Sequence, residues 1–413
     1  YHRILIKMNI QDKSSELMSK AHTYLETLCG VKPNRRTGSP GNKQAVDFFA
    51  REVSLYAEEI DTTSFEALDY MCSQVQLSEK NTAFEVKNSP YTLGCDISAA
   101  LIPVSTIDEL GKANCRGQLL LMTGDLCSEQ LTPKNFSFYN PAHHKKIIGL
   151  LEEKRPAGII TATGKQPDQA GALDPFPLIV DGDFNIPSTY CSKTEGKKID
   201  AKKGQTLRLK IDASRIPSRA ANIIAKLNKG KSKKIVITAH IDAYEDSPGA
   251  ADNASGVAVL LLAAELLSGY SGKYTLENAA LNGEDHYSAG GEMDYLQRYR
   301  HELSDIQVVI NIDDAGYKHG RTAFSFYECP PELQKSAYQA FASFRGLVPG
   351  SPWFMGDHMI FVQKGIPALA FASEYMEEFM QTAAHTSLDI PDIVDCRLII
   401  EAAQSIHAFI RSL

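Results

Sequence analysis

Residues 233–267 read KKIVITAHIDAYEDSPGAADNASGVAVLLLAAELL. Ile235–Thr238 is a short β-branched run with lysines before it and a loop after it, the pattern of a strand buried on both faces of a parallel sheet. His240 and Asp242 fall just past its carboxyl end, a loop rich in Gly, Asp, Asn and Ser follows, and Val257–Leu267 predicts a helix of small apolar residues. Open α/β sheets carry their chemistry in the crevice beyond the carboxyl ends of the strands. An imidazole and several carboxylates therefore emerge where a site is expected.

Outward from this unit the alternation of helix and strand continues. Ser14–Leu28 has apolar residues at helical spacing, and Asn42–Leu55 repeats the pattern with Ala45, Val46, Phe49 and Val53. The intervening VKPNRRTGSPG is a loop punctuated by Gly and Pro, and Glu58–Tyr70 predicts a strand. Ala221–Leu227 predicts a strand joined to the central one by NKGKSKK, an exposed hairpin-like turn. Strands at Asn278–Leu281, Ile306–Ile312, Thr322–Tyr327 and Ala368–Ala372 alternate with helices at Gly291–Tyr299, Glu332–Phe344 and Cys396–Leu413. Between Ser89 and Ser214 strand-like pieces dominate around one helix, His144–Glu153. That segment lacks clustered His, Asp and Glu of metal-site type. His143 and His144 are adjacent and are expected to point apart at the surface. The expected fold class is α/β: a three-layer α/β/α sandwich with a mostly parallel central sheet, at residues 1–88 and 215–413. A smaller β-rich domain, 89–214, is expected to interrupt it.

The 413 residues can bury a large core. A net charge of -7 and a pI near 5.9 argue against a nucleic-acid surface. No apolar stretch approaches the ~20 residues of a membrane span. Tyr1–Lys7 is basic and apolar but too short for a secretory leader, and no small-residue cleavage site follows. The eight cysteines are widely scattered without a CxxC pair, which speaks against structural thiolate zinc and for free, buried thiols. The expectation is a cytoplasmic protein; the alternative is a secreted chain already trimmed of its leader.

Four strand ends carry candidate ligands: His240; Asp252; Glu284 and Asp285; and Asp313. His385 adds a fifth in the loop AAHTSLDIPD. Each alone has an ordinary explanation, a packed histidine or a helix-capping aspartate. Together, at one edge of one sheet, two histidines and three carboxylates suit two borderline divalent ions, most naturally zinc, with cobalt or manganese as alternatives. Asp314 stands beside Asp313, and strand alternation would send the two to opposite faces.

In order and spacing, HID, GAADNASG, GED, NIDDAG and HTSLD resemble the M28 family of metallopeptidases, which comprises di-zinc aminopeptidases and their relatives. RRTGSPGNKQAVDFFAREV resembles that family's N-terminal signature, while LLLMTGD, KKIIGLLEEKRPAGIITAT and DGDFNIPSTY resemble a protease-associated domain. The resemblance implies His240 and Asp313 on one metal, Asp285 and His385 on the other, and Asp252 bridging both. It implies Glu284 as general base and Asp242 as the partner that orients His240. One departure is Glu284–Asp285 where many relatives have Glu–Glu. Another is Gly356 for serine in the segment around Asp357 and His358. Asp357 reads either as a group beside the site or as a helix cap. Trp353, Phe354 and Met355 read either as an apolar specificity pocket or as core plugs. Asn253, Ser255 and Gly256 are expected to shape the loop around Asp252, and His286 to face away.

The implied activity is exopeptidase hydrolysis of a peptide with a free amino terminus, with Glu284 shuttling the proton. A homo-oligomer stays open. Rival readings are a carboxypeptidase or dipeptidase, with Arg215, Arg219, Arg321 or Arg345 receiving a substrate carboxylate; a glutaminyl-cyclase-like transferase with one zinc; and a non-catalytic binding module. GAADNASG is not a GxSxG elbow, so no serine nucleophile is expected.

Overall fold

The structure is a computed structural model that describes residues 2–129, 131, 132, 134, 141–164, 184–285 and 289–413, with side chains from residue 14 onward. His286 and the first three residues of DGDFNIPSTY lie outside the described residues. The chain clusters into two compact units, one of residues 1–66, 219–285 and 289–413, the other of residues 67–218.

The strands of the structure, in chain order, are β1 (Glu59–Glu79), β2 (Thr82–Phe84), β3 (Lys87–Asn88), β4 (Cys95–Val104), β5 (Leu119–Met122), β6 (Gly158–Ala162) and β7 (Ser188–Cys191). They continue as β8 (Thr206–Leu227), β9 (Lys233–His240), β10 (Tyr274–Leu281), β11 (Ile306–Ile312), β12 (Thr322–Tyr327), β13 (Leu347–Pro349) and β14 (Ala368–Ser373). In the larger unit they run in the order β13-β12-β14-β11-β9-β10-β8. The centre is parallel: β9 pairs in parallel with both β10 and β11, and β11 with β14. β12 is antiparallel to β14, and the last residues of β8 are antiparallel to β10. Strands covered on both faces read as unbroken apolar runs, and β9, β10, β11 and β14 are buried almost throughout.

The helix Ser255–Leu267 is apolar almost all round, Glu265 excepted, as an enclosed helix is. The sheet lies beneath it, and His2–Cys29, Pro40–Val53 and Cys396–Ser412 pack around it. Helix Pro40–Val53 starts at Ser39, whose hydroxyl accepts from the Asn42 amide, with Pro40 in the first turn. The short helix His358–Val362 packs on β11 and β14, and Phe361 meets Tyr295 of helix Gly290–Arg298 edge-on at 5.4 Å.

The turn after β8 is not a hairpin. β10 lies between β8 and β9, so residues 228–232 carry the chain past a neighbour that arrives forty residues later. Asn228 anchors that crossing by donating from Nδ2 to the Tyr274 carbonyl at 2.7 Å and to Gly272 at 2.9 Å.

The second unit has its own parallel ladder, β4-β5-β6-β7, with the first part of β8 antiparallel to β4 and β3 antiparallel to β7. Helices Ile107–Lys112, Ala142–Lys154 and Lys193–Asp200 belong to it.

Candidate metal centre

The carboxyl ends of β9, β10 and β11 place His240, the pair Glu284–Asp285, and Asp313 at one edge of the larger unit's sheet. Asp252 comes from the loop between β9 and helix Ser255–Leu267, and His385 from the loop after helix Met376–Thr382. The five proposed ligands converge. Asp252 lies at the centre: its Oδ1 is 3.1 Å from His240 Nε2, and its Oδ2 is 2.9 Å from His385 Nε2. His240 Nε2 is also 3.2 Å from Asp313 Oδ1, and His385 Nε2 is 2.9 Å from Asp285 Oδ1. The two oxygens of one carboxylate thus face two different imidazole–carboxylate pairs.

Asp313 and Asp314 do not go to opposite faces. β11 ends at Ile312, so strand alternation stops before them, and Asp314 takes a left-handed backbone with φ of 54°. One oxygen from each of Asp252, Asp313 and Asp314 falls within 4.8 Å of the others. Asp313 remains the one against His240.

Several supports of this arrangement are long-range. Arg35, from the RRTGSPG loop, is buried and donates to four main-chain carbonyls: Leu28 at 3.0 Å, Ile241 at 3.2 Å, Pro248 at 2.6 Å and Gly249 at 2.9 Å. It therefore fixes the start and the end of the loop that delivers Asp252. Asp389 accepts from the amides of Ala251 at 2.8 Å and Asp252 at 3.1 Å. Asn253 donates from Nδ2 to the Ile312 carbonyl at 2.9 Å, while its Oδ1 accepts from the Gly256 amide at 3.0 Å. A Cβ on Gly256 would sit 2.2 Å from that Oδ1 and 2.7 Å from Ile312 O, so only glycine lets the helix approach this closely. Tyr244 stacks flat on His385, with centroids 4.4 Å apart.

Asp242 is fully buried, but its carboxylate is 3.7 Å from His240 Nδ1, beyond hydrogen-bond range. Its oxygens instead accept from the amides of Gly283 at 2.8 Å and Asp285 at 3.1 Å. It thereby holds the turn that carries Glu284 and Asp285.

Asp357 is not a helix cap: its side chain makes no capping bond and both its oxygens are buried without a donor. It faces Glu292, another fully buried acid; burial, then the neighbouring Glu292 carboxylate, pushes Asp357 well above the usual range. Glu292 was not legible as a site residue, since nothing in GGEMDYL marks it. His358 accepts at Nδ1 from Asn311 Nδ2 at 3.3 Å, and its Nε2 lies 3.1 Å from the Trp353 carbonyl, which fixes the neutral tautomer. Phe354 and Met355 are 60% and 52% exposed, so they are not core plugs. Gly356 lies against Asp313, where an added Cβ would be 3.4 Å from Oδ2.

The electrostatics of the cluster call for added positive charge. Burial, opposed by His240 and reinforced by repulsion from Asp285, Asp313 and Asp252, leaves the partly exposed Glu284 well above the usual carboxylate range. Burial and the neighbouring Asp252 likewise raise Asp285, and burial and Asp313 raise Asp314. Burial opposes the charged forms of His240 and His385, yet the carboxylates around them prevail and hold both well above an ordinary histidine. Asp285 Oδ2, Asp314 Oδ1, His240 Nδ1 and His385 Nδ1 have no hydrogen-bond partner among the described residues. Desolvated carboxylates in such excess need a cation. Imidazole nitrogens with carboxylate oxygens are the donor set of borderline divalent ions, so these residues fit a di-metal site.

Residues 222–410 match the family model described as peptidase family M28. The fold is similar to that of solved aminopeptidases. An aminopeptidase from Aneurinibacillus sp. strain AM-1 superposes with a TM-score of 0.73 at 21% identity, covering 95% of this chain and 93% of that one. BSAP, a zinc aminopeptidase from Bacillus subtilis, superposes with a TM-score of 0.73 at 19% identity, covering 95% and 94%. Among curated relatives, a probable lipoprotein aminopeptidase, LpqL, of Mycobacterium tuberculosis is 22% identical over 306 residues, 73% of this chain and 59% of that protein. The chain thus spans about three fifths of that relative's length.

Proposed function

We propose that this chain is a metal-dependent exopeptidase, an aminopeptidase that releases N-terminal residues from peptides, with two zinc ions held by His240, Asp252, Asp285, Asp313 and His385. The observation that carries the reading is Asp252, whose two oxygens each face a separate imidazole–carboxylate pair. His240 and Asp313 would hold one ion, His385 and Asp285 the other, with Asp252 shared between them. Such ions would supply polarisation of the scissile carbonyl and a more acidic attacking water.

The remaining chemistry belongs to the chain. Glu284 takes the proton of the attacking water and returns it to the leaving amine. Asp242 keeps Glu284 at the brim by gripping the amides on either side of it. The surplus of acidic groups suits a protonated substrate amine. Three of the four arginines considered as carboxylate receivers are engaged elsewhere: Arg321 pairs with Glu374 at 2.8 Å, Arg219 with Glu66, and Arg215 bonds the Tyr91 carbonyl at 2.8 Å. The unit at 67–218 is read as a protease-associated-like insertion, on the strength of LLLMTGD and KKIIGLLEEKRPAGIITAT.

Zinc-loaded protein offered a panel of amino-acid amides and free-amine peptides, each with its N-acetylated counterpart, tests the assignment. Hydrolysis confined to the free amines is expected. Equal cleavage of the blocked peptides, or release of C-terminal residues, overturns it.

A further inference from the structure

Away from this centre, in the unit of residues 67–218, a second group of metal-ligating side chains comes together. On the sequence His143 and His144 were expected to diverge. The structure places them in the first turn of helix Ala142–Lys154 with their rings edge to face, centroids 4.4 Å apart at 72°. That geometry aims both Nε2 atoms at one carboxylate. His143 Nε2 lies 2.7 Å and His144 Nε2 3.2 Å from the same oxygen, Glu129 Oε1. Ligand atoms of all three residues lie within 4.8 Å of one another; the His144 separation falls within the 2.9–3.2 Å between imidazole and carboxylate in the main centre, and the His143 separation is shorter.

We propose that Glu129, His143 and His144 form a separate site for one divalent transition-metal ion. Two imidazoles and a carboxylate select zinc, cobalt, nickel or copper over calcium or magnesium, which prefer oxygen. His144 would change tautomer between the metal-free and metal-bound states. It is 1% exposed, and its Nδ1 lies 3.2 Å from the Thr132 amide and 3.1 Å from the Thr132 hydroxyl. Without an ion, Nδ1 accepts from the amide and the ring proton sits on Nε2, facing Glu129. With an ion on Nε2 the proton would move to Nδ1 and be donated to the Thr132 hydroxyl oxygen, while the Thr132 amide would give up Nδ1 as its acceptor. Glu129 and His143 are about half exposed, which leaves the remaining coordination position open to water. An ion here joins residues 14 apart in sequence and fastens the start of the helix to the chain before it.

The test is a zinc titration of the full chain, purified without a polyhistidine tag and stripped with chelator, with bound metal counted by elemental analysis after removal of free ion. His143→Gln and Glu129→Gln change half-exposed positions and leave the fold intact, as far-UV circular dichroism would verify. Each is expected to bind one ion fewer than the parent, or to bind that ion at least the ~10–100-fold more weakly that loss of even an outer partner brings. Asp252→Asn, at the other centre, is expected to leave this ion in place, which separates failure here from failure there. Equal stoichiometry and affinity in the parent and both variants would overturn the proposal and leave the three side chains as a hydrogen-bonded helix start.

Discussion

His358 gives a stability prediction whose size follows from its surroundings. The ring is completely buried, and burial pushes it down from its ordinary 6.5 to about 4, with the Trp353 carbonyl opposing only weakly. A tenfold change in proton affinity is worth about 1.4 kcal/mol, so the displacement amounts to about 3 kcal/mol in favour of the neutral folded form. The affinity is lowered on folding, so this contribution is fully present above pH 6.5. It falls as the unfolded chain takes up a proton that the folded one refuses, and it is gone below pH 4. About 2 kcal/mol of it is lost by pH 5. The assay is urea unfolding at intervals from pH 7.5 to 4.5, on metal-free parent and on His358→Gln, whose amide does not titrate. The variant should start less stable and then lose about 2 kcal/mol less than the parent on going to pH 5. Parallel curves for the two proteins would refute the reasoning, because His358 would then be accessible to protons in the folded state.

Three other substitutions probe the supports of the centre. Arg35→Met strips the donor from four carbonyls and should cost about 3 kcal/mol or more by urea unfolding, with weaker zinc binding in the same protein. Gly256→Ala forces a Cβ onto Asn253 Oδ1 and Ile312 O and should destabilise by about 1–3 kcal/mol, measured as a lowered unfolding midpoint. Asp285→Asn exchanges a charged ligand for a neutral amide, so zinc content by elemental analysis and kcat should fall together.

The sheet was legible where its strands are buried on both sides. β11 and β12 have the bounds that their apolar runs predict, since local pattern and burial agree there. The link from β8 to β9 was misread because its turn chemistry is that of a hairpin, and only the later arrival of β10 separates the two strands. The convergence of His240, Asp252, Asp285, Asp313 and His385 was legible because each stands at a strand end or in a loop beside it. The roles of Arg35 and Asp389 were not. Both lie inside the quoted motifs RRTGSPG and HTSLD, yet what they do depends on main-chain groups more than 130 residues away. The same holds for Asp242, which orients an acidic turn forty-one residues downstream more closely than it approaches the histidine two residues before it.

The central claim is that the buried cluster holds the ions and Glu284 moves the proton, and Glu284→Gln separates these two duties. The substitution preserves the shape of the side chain and removes its basicity. Zinc content and kcat on a free-amine peptide, measured on the same preparation, should show the parental number of ions and a turnover lower by ~10²–10⁴-fold. A near-parental kcat with both ions bound at the centre would contradict the account.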